Sequence, residues 1–337
     1  MHDHRSMLRT FVTPQRLTAA AHPLTHADTR KERTPMRFPK RAALALAGIL
    51  IGTGWAPGAS AAEPAPAALT EHTIGQFNMA GGHAEYGPKG DEVPDALVRS
   101  VDDRRPAFMT LSEACRDWNA RLESQLPDYT VVFHPVTNGS GQIAQCKHPS
   151  DFGNAVLFRD DLGFDAATAV PHGLESPVGY EQREMLCVRS DSRRLAVCSA
   201  HLTVGDDRPH LDARRHEAAV AARILATEYA GYTRFLGGDL NDDPLSGATD
   251  NFYHPDYRRD AHGQFKEIDS PCGNEMKAGF WIRSLPPVWI WCRSGESTHS
   301  QGKIDYLFVE PSLRVAWADA THATYSDHDP LWAGIEF

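Results

Sequence analysis

The chain has 337 residues, and its 44 acidic side chains outnumber 34 basic ones to give a formal charge of -10. An acidic surface repels polyanions at long range, which excludes a tight, metal-free nucleic-acid binder but not an enzyme that handles phosphates through a bound cation. Neither a linker nor an internal repeat divides the sequence, so we read one large domain.

The N-terminal region reads as an address. Arg37, Lys40 and Arg41 precede an apolar run over 42–55, and Ala59-Ser60-Ala61 then supplies the small residues that a signal peptidase cuts after. We expect residues 1–35 to be an overcalled extension before a true start at Met36, 36–61 a secretory signal peptide, 62–70 a short linker, and 71–337 the folded domain. The apolar run is shorter than the roughly 20 residues that span a bilayer, and no later segment is long enough. The expected product is a secreted, soluble monomer. Removing 1–61 takes away nine basic and three acidic residues and moves the charge from -10 to -16.

Short strand-like runs separated by turns dominate the rest. The pattern predicts strands over 73–78 and 107–112 with a helix over 95–103 between them, and a second helix over 116–126. Strands follow at 130–135, 154–159, 184–190 and 195–202. The longest helix is predicted over 211–229, where Ala218, Ala222, Leu225 and Tyr229 form one apolar stripe and Gly231 marks its end. A strand over 233–236 leads into Gly237-Gly238-Asp239-Leu240-Asn241.

Residues 242–301 read as irregular. Within them Phe280-Trp281-Ile282 and Val288-Trp289-Ile290-Trp291 flank Pro286-Pro287. They are read first as core strands, with an exposed hairpin touching lipid or substrate as the alternative. Strands over 303–309, 315–318 and 331–337 finish an α+β sandwich of two packed sheets with helices outside.

All six cysteines follow the leader, an even count that favours disulfides in an exported chain. Cys187 and Cys198 flank the polar turn 190–194, and a hairpin there sets them opposite each other. Sequence order then pairs Cys115 with Cys146 and Cys272 with Cys292. No C-x-x-C pair argues for zinc.

Polar residues recur where apolar runs end: Asn78, Glu113, His201, Asp239 with Asn241, Asp305, and Asp327-His328. In an extended strand, side chains i and i+2 share a face about 7 Å apart, so Asp239 and Asn241 point the same way. Gathered at one rim, these groups suit phosphate-ester hydrolysis. That reaction needs a cation, a group to activate water, donors for the transition state and help for the leaving oxygen.

The ordered series Gln76-Phe77-Asn78, Leu111-Ser112-Glu113, Ser199-Ala200-His201-Leu202, Gly238-Asp239-Leu240-Asn241, Lys303-Ile304-Asp305-Tyr306 and Ser326-Asp327-His328-Asp329-Pro330 resembles the endonuclease/exonuclease/phosphatase superfamily, the deoxyribonuclease I-like fold. The resemblance implies a four-layered α/β sandwich and a hydrolase using magnesium, with manganese or calcium as alternatives. It implies Glu113 as main metal ligand, Asn78 near metal and phosphate, and Asp327 at a second metal or a water. Asn241 is implied to hold phosphate, His201 to act as general acid or phosphate contact, and Asp305 to fix the ring of His328. Asp239 and His328 are both candidates for the base. Ser112 stands where many members carry Gln. The substrate implied first is nucleic acid, with a sphingomyelin-type phospholipid headgroup as alternative. A phosphomonoester and a catalytically silent binding module come after these.

Overall fold

The computed structural model describes residues 69–337; the expected extension and signal peptide, and most of the linker, lie outside them. The chain runs through β1 (Glu71–Asn78), α1 (Glu92–Arg104), β2 (Phe108–Cys115), α2 (Arg116–Gln125), β3 (Tyr129–Pro135) and β4 (Phe152–Arg159). It continues with β5 (Asp165–Gly173), β6 (Glu184–Ser190), β7 (Leu195–His201), α3 (Arg208–Thr227) and β8 (Thr233–Asp239). The remaining strands are β9 (Lys266–Glu267), β10 (Gly279–Ile282), β11 (Val288–Trp291), β12 (Asp305–Val309), β13 (Arg314–Ala320) and β14 (Leu331–Glu336).

Two six-stranded sheets form, in the orders β13-β14-β1-β2-β4-β3 and β5-β6-β7-β8-β12-β9. Their period-2 patterns explain why they stack. Phe108, Val156, Ala333 and Ile335 of the first sheet meet Leu186, Val188, Val197, Phe235 and Leu307 of the second in one dry layer. Each large side chain so buried contributes about 1.5–3 kcal/mol. On the opposite face of the first sheet, Met109, Leu111 and Leu157 pack with Leu97, Val101, Trp118 and Leu122 of α1 and α2. On that of the second, Cys198, Leu236 and Phe308 pack with Ala218, Ala221 and Leu225 of α3. Helix, sheet, sheet, helix is the four-layered α+β sandwich expected.

Gly237 shows how closely the sheets approach. A Cβ there would lie 2.1 Å from Thr110 Oγ1 in the facing sheet and 2.9 Å from Leu307, so the glycine answers a packing need as well as a turn.

Three local expectations are corrected. The aromatic stretch supplies no core strand: β10 and β11 form a separate two-stranded hairpin, with Trp281 64% exposed and Leu285 fully exposed. β5 went unread because its small residues and Pro171 give no apolar alternation, which an edge strand tolerates. The long helix spans Arg208–Thr227, starting where Asp207 accepts the amide of His210. All three disulfides pair as read, Cys115–Cys146, Cys187–Cys198 and Cys272–Cys292, and Cys187 stands opposite Cys198 in the β6–β7 ladder. No helix among the described residues is long and apolar enough to cross a membrane.

Candidate active site

Strand direction gathers the polar ends. β1 and β2 run parallel, with Asn78 opposite Ser112, and β7 and β8 run parallel, with His201 opposite Asp239. β12 is antiparallel to β8, so its first residue, Asp305, also falls opposite Asp239. Parallel neighbours end together and an antiparallel one begins there. Stacking then closes one rim over the other.

Contacts across the rim are direct. Asn78 Nδ2 donates to Asp239 Oδ2 at 3.0 Å and lies 3.4 Å from Glu113 Oε1, while its Oδ1 accepts the Ala80 amide. Gln76 Nε2 donates to Asp305 Oδ1 at 3.1 Å, and Ser199 Oγ donates to the Leu111 carbonyl. Glu113 has a φ of +50° and sits where the β2–β4 register slips. A bulge re-aims a side chain in this way, and here it turns the carboxylate to accept the Gly82 amide at 2.9 Å. Ser112, the departure from the usual Gln, is buried and makes long contacts to Ala200 O and Asp239 N. It does not touch the Glu113 carboxylate through any hydrogen bond found among the described residues.

Three groups meet at Asp239 Oδ2. Besides Asn78, His201 Nε2 lies 3.6 Å away and His328 Nε2 3.8 Å away. The other ring nitrogen of His328 is 2.7 Å from Asp305 Oδ2, and the loop before it is pinned by Ser326 Oγ donating to the Asn78 carbonyl. Asp239, Asp305 and His328 form a compact cluster that could hold a cation, as do His299, Asp327 and His328; Glu113 belongs to neither and joins through Asn78. Asp327 Oδ2 faces His299 Nε2 at 3.5 Å and His83 Nε2 at 3.8 Å.

Burial and neighbouring charge separate the proton affinities. Desolvation, then the charge of Asp305, lifts the Asp239 carboxyl to about 7. Burial opposes charge on His328, but Asp305, Asp239 and Asp327 outweigh it and raise the ring to about 10. His201 is held well below the usual imidazole value by burial and by Arg183. Arg183 Nη1 lies 2.9 Å from His201 Nδ1. A guanidinium only donates, so neutral His201 carries its proton on Nε2, facing Asp239. A carboxylate that accepts protons near neutrality, a charged imidazole and a neutral N–H donor thus share one cavity.

Asn241, at φ +52°, donates through Nδ2 to the Leu202 carbonyl and through its amide to Asp239 Oδ1. Two buried polar residues of α3 hold the loops that carry these groups. Glu217 accepts from the Thr203 amide and hydroxyl; Arg214 donates to Thr203 O and Gly205 O and pairs with Asp242.

The cleft, about 340 Å³, brings together Glu113, His201, Asp239, Asn241, Asp327 and His328 from the sequence reading. Asn78 and Asp305 are buried beneath it. It also takes in His83, Glu181, Arg183 and His299, which the sequence reading missed. Arg183 Nε is buried without a partner, and Glu181 Oε1 lies 2.9 Å from Arg183 Nη1 without hydrogen-bond alignment. The signal available was position: β6 is antiparallel to β7, so the residues just before β6 reach the rim where β7 ends.

Beside Arg183, Glu184 is 2.7 Å from His134 Nδ1, and its Oε1 is buried unpartnered. Desolvation lifts its carboxyl to about 8, while burial and Arg116 lower His134, so the pair is a neutral acid donating to a neutral ring. A carboxyl raised in the folded state stabilises fully below its unfolded value of 4.5 and loses that contribution as pH rises towards 8. The lowered imidazole acts in the opposite sense, only below 6.5. Glu184→Gln is therefore expected to flatten the stability loss between about pH 6.5 and 8, by on the order of a few kcal/mol. Urea melts across that range check it; parallel curves for both proteins would refute it.

The sequence model of the Endonuclease/Exonuclease/phosphatase family matches residues 75–328. The chain belongs to this family, whose members are hydrolases of phosphoester bonds and generally use a divalent metal. No curated protein matches the sequence. Among solved structures, the chain is similar to the human Nocturnin catalytic domain with bound sulfate (15% identity, 79% of this chain and 93% of that one, TM-score 0.58). It is similar to an endonuclease/exonuclease/phosphatase from Bacteroides vulgatus (17%, 80% and 99%, TM-score 0.54). A third is a mannosyl-6-phosphatase of Bacteroides thetaiotaomicron (15%, 79% and 100%, TM-score 0.54).

Proposed function

We propose that the chain is an exported, divalent-cation-dependent phosphodiesterase, with nucleic acid as the first substrate to test. The observation carrying this reading is the convergence of Asn78, His201 and His328 on one oxygen of Asp239 from two different sheets.

The donor set fits a hard cation. Glu113 and Asp327 line the cleft as carboxylates, and oxygen ligands suit magnesium, manganese or calcium. When bound, the cation neutralises charge on the phosphoryl oxygens and the departing oxygen. Asn78 acts as an organiser: its Oδ1 is engaged by Ala80, and its amide hydrogens align Glu113 and Asp239. Between the two base candidates, electrostatics favour Asp239. Its affinity for a proton near pH 7 lets it take one from water, whereas His328 is kept charged by Asp305 and serves as a donor to a phosphoryl oxygen. Asn241 sits to hold the phosphate. His201, its ring fixed by Arg183, offers Nε2–H on the leaving-group side.

The disulfides support export. The exposed hairpin of Trp281 and Leu285 supports a second reading, a sphingomyelinase-type phospholipase whose hairpin enters the bilayer surface. The mature protein is incubated with plasmid DNA and Mg²⁺, with and without chelator, and in parallel with sphingomyelin liposomes. Chelator-sensitive nicking supports the nuclease; choline phosphate release without nicking moves the assignment to the lipase. Inertness toward both and toward bis(p-nitrophenyl) phosphate, with every cation, rejects the enzyme.

A further inference from the structure

A second cavity of about 500 Å³ adjoins the cleft and shares His299 and Asp327 with it. Its size lies within the roughly 300–1,000 Å³ of small-ligand sites. Tyr86, Ser300, Thr324 and Asp329 also line it, and it contains no lysine or arginine. The cation nearest in this region, Lys89, sits 4.6 Å from the centre of the Tyr86 ring and 3.8 Å from Glu85 Oε1, outside the lining. In the cleft itself Arg183 is the one guanidinium or ammonium lining the wall, and His201 and Glu181 already occupy it.

This charge pattern discriminates between ligands. A second phosphate in the adjoining cavity would meet the carboxylates of Asp327 and Asp329 with no fixed cation to offset them, at substantial cost. A hydroxyl both donates and accepts, and so matches what is there. His83 Nδ1 accepts the Glu85 amide and His299 Nδ1 accepts the Gln301 amide. Each neutral ring therefore carries its proton on Nε2, beside Asp327 Oδ2 but at 3.8 and 3.5 Å. That is too long for a good hydrogen bond and leaves two donors and an acceptor at the junction of the cavities. The Tyr86 ring, 5.1 Å from that of His83, adds an apolar face.

Resting on the phosphoesterase reading above, we propose that the adjoining cavity binds the uncharged, hydroxyl-rich group esterified to the reacting phosphate, a sugar bearing no further phosphate. The catalytic cleft then engages a single phosphate, and the enzyme favours small sugar phosphodiesters over polynucleotides.

The full mature chain is assayed with Mg²⁺ on methyl p-nitrophenyl phosphate, on the diester of p-nitrophenyl phosphate with the 6-hydroxyl of glucose, and on a short oligothymidylate. The sugar diester is expected to exceed the methyl diester by about 30-fold in kcat/KM, the worth of two or three new hydrogen bonds, and to exceed the oligonucleotide. Tyr86→Ala and Thr324→Val, both outside the catalytic cleft, are expected to remove most of that gain through KM while the methyl diester rate stays unchanged. Equal rates for methyl and sugar diesters, or preference for the oligonucleotide, overturn the proposal and leave the phosphodiesterase standing. Failure to hydrolyse any of the three with any cation overturns both.

Discussion

Asp239→Asn is expected to lower kcat on bis(p-nitrophenyl) phosphate by about three orders of magnitude, the scale of a lost general base, while the protein still folds. The substitution keeps the shape of a side chain that is 2% exposed. Both oxygens of Asp239 accept hydrogen bonds, from Asn78 and from the Asn241 amide, and an amide replaces only one acceptor. The cost of that loss is about 1 kcal/mol, offset in part because a carboxylate crowded by Asp305 is removed. Circular dichroism and steady-state kinetics read the two effects separately. Activity within tenfold of the unsubstituted enzyme would remove Asp239 from the role of base and return it to His328.

Glu113→Gln is the second large effect. The amide retains an oxygen for the Gly82 amide that now binds Oε2, so the strained backbone keeps its anchor. What disappears is a formal charge on the cleft wall, and cation affinity follows ligand charge. Mg²⁺ binding measured by calorimetry is expected to weaken by at least about a hundredfold, with activity falling in step and partly returning at higher Mg²⁺. A variant that binds Mg²⁺ as tightly as the original chain would show that Glu113 is not a ligand.

The fold was largely legible because strand periodicity and strand chemistry agree here. β1, β2, β7 and β8 each carry apolar runs that end in a polar residue, and their ladders are parallel in pairs, so a rule about strand ends found Asn78, Glu113, His201 and Asp239. The same rule missed Arg183, which precedes an antiparallel strand and reaches the rim from its start. His83 and His299 were beyond it, because they lie on loops where no period marks a side chain's direction. The hairpin of β10 and β11 was misread since exposed and buried aromatic strands look alike in sequence; only the absence of a partner sheet tells them apart. Charge was the remaining blind spot. A chain with 34 basic residues contains many arginines and lysines, and only the folded arrangement shows that one of them lines the cleft.

The placement of β14 between β13 and β1 has a consequence for biogenesis. During synthesis the opening strand has β2 on one flank and bare backbone on the other until residues 331–336 emerge. Asp327 and His328 arrive in the same final segment. A nascent chain therefore remains without its completed first sheet until almost the last codon is read, which keeps it threadable through a secretion channel and withholds hydrolytic power until translation is over.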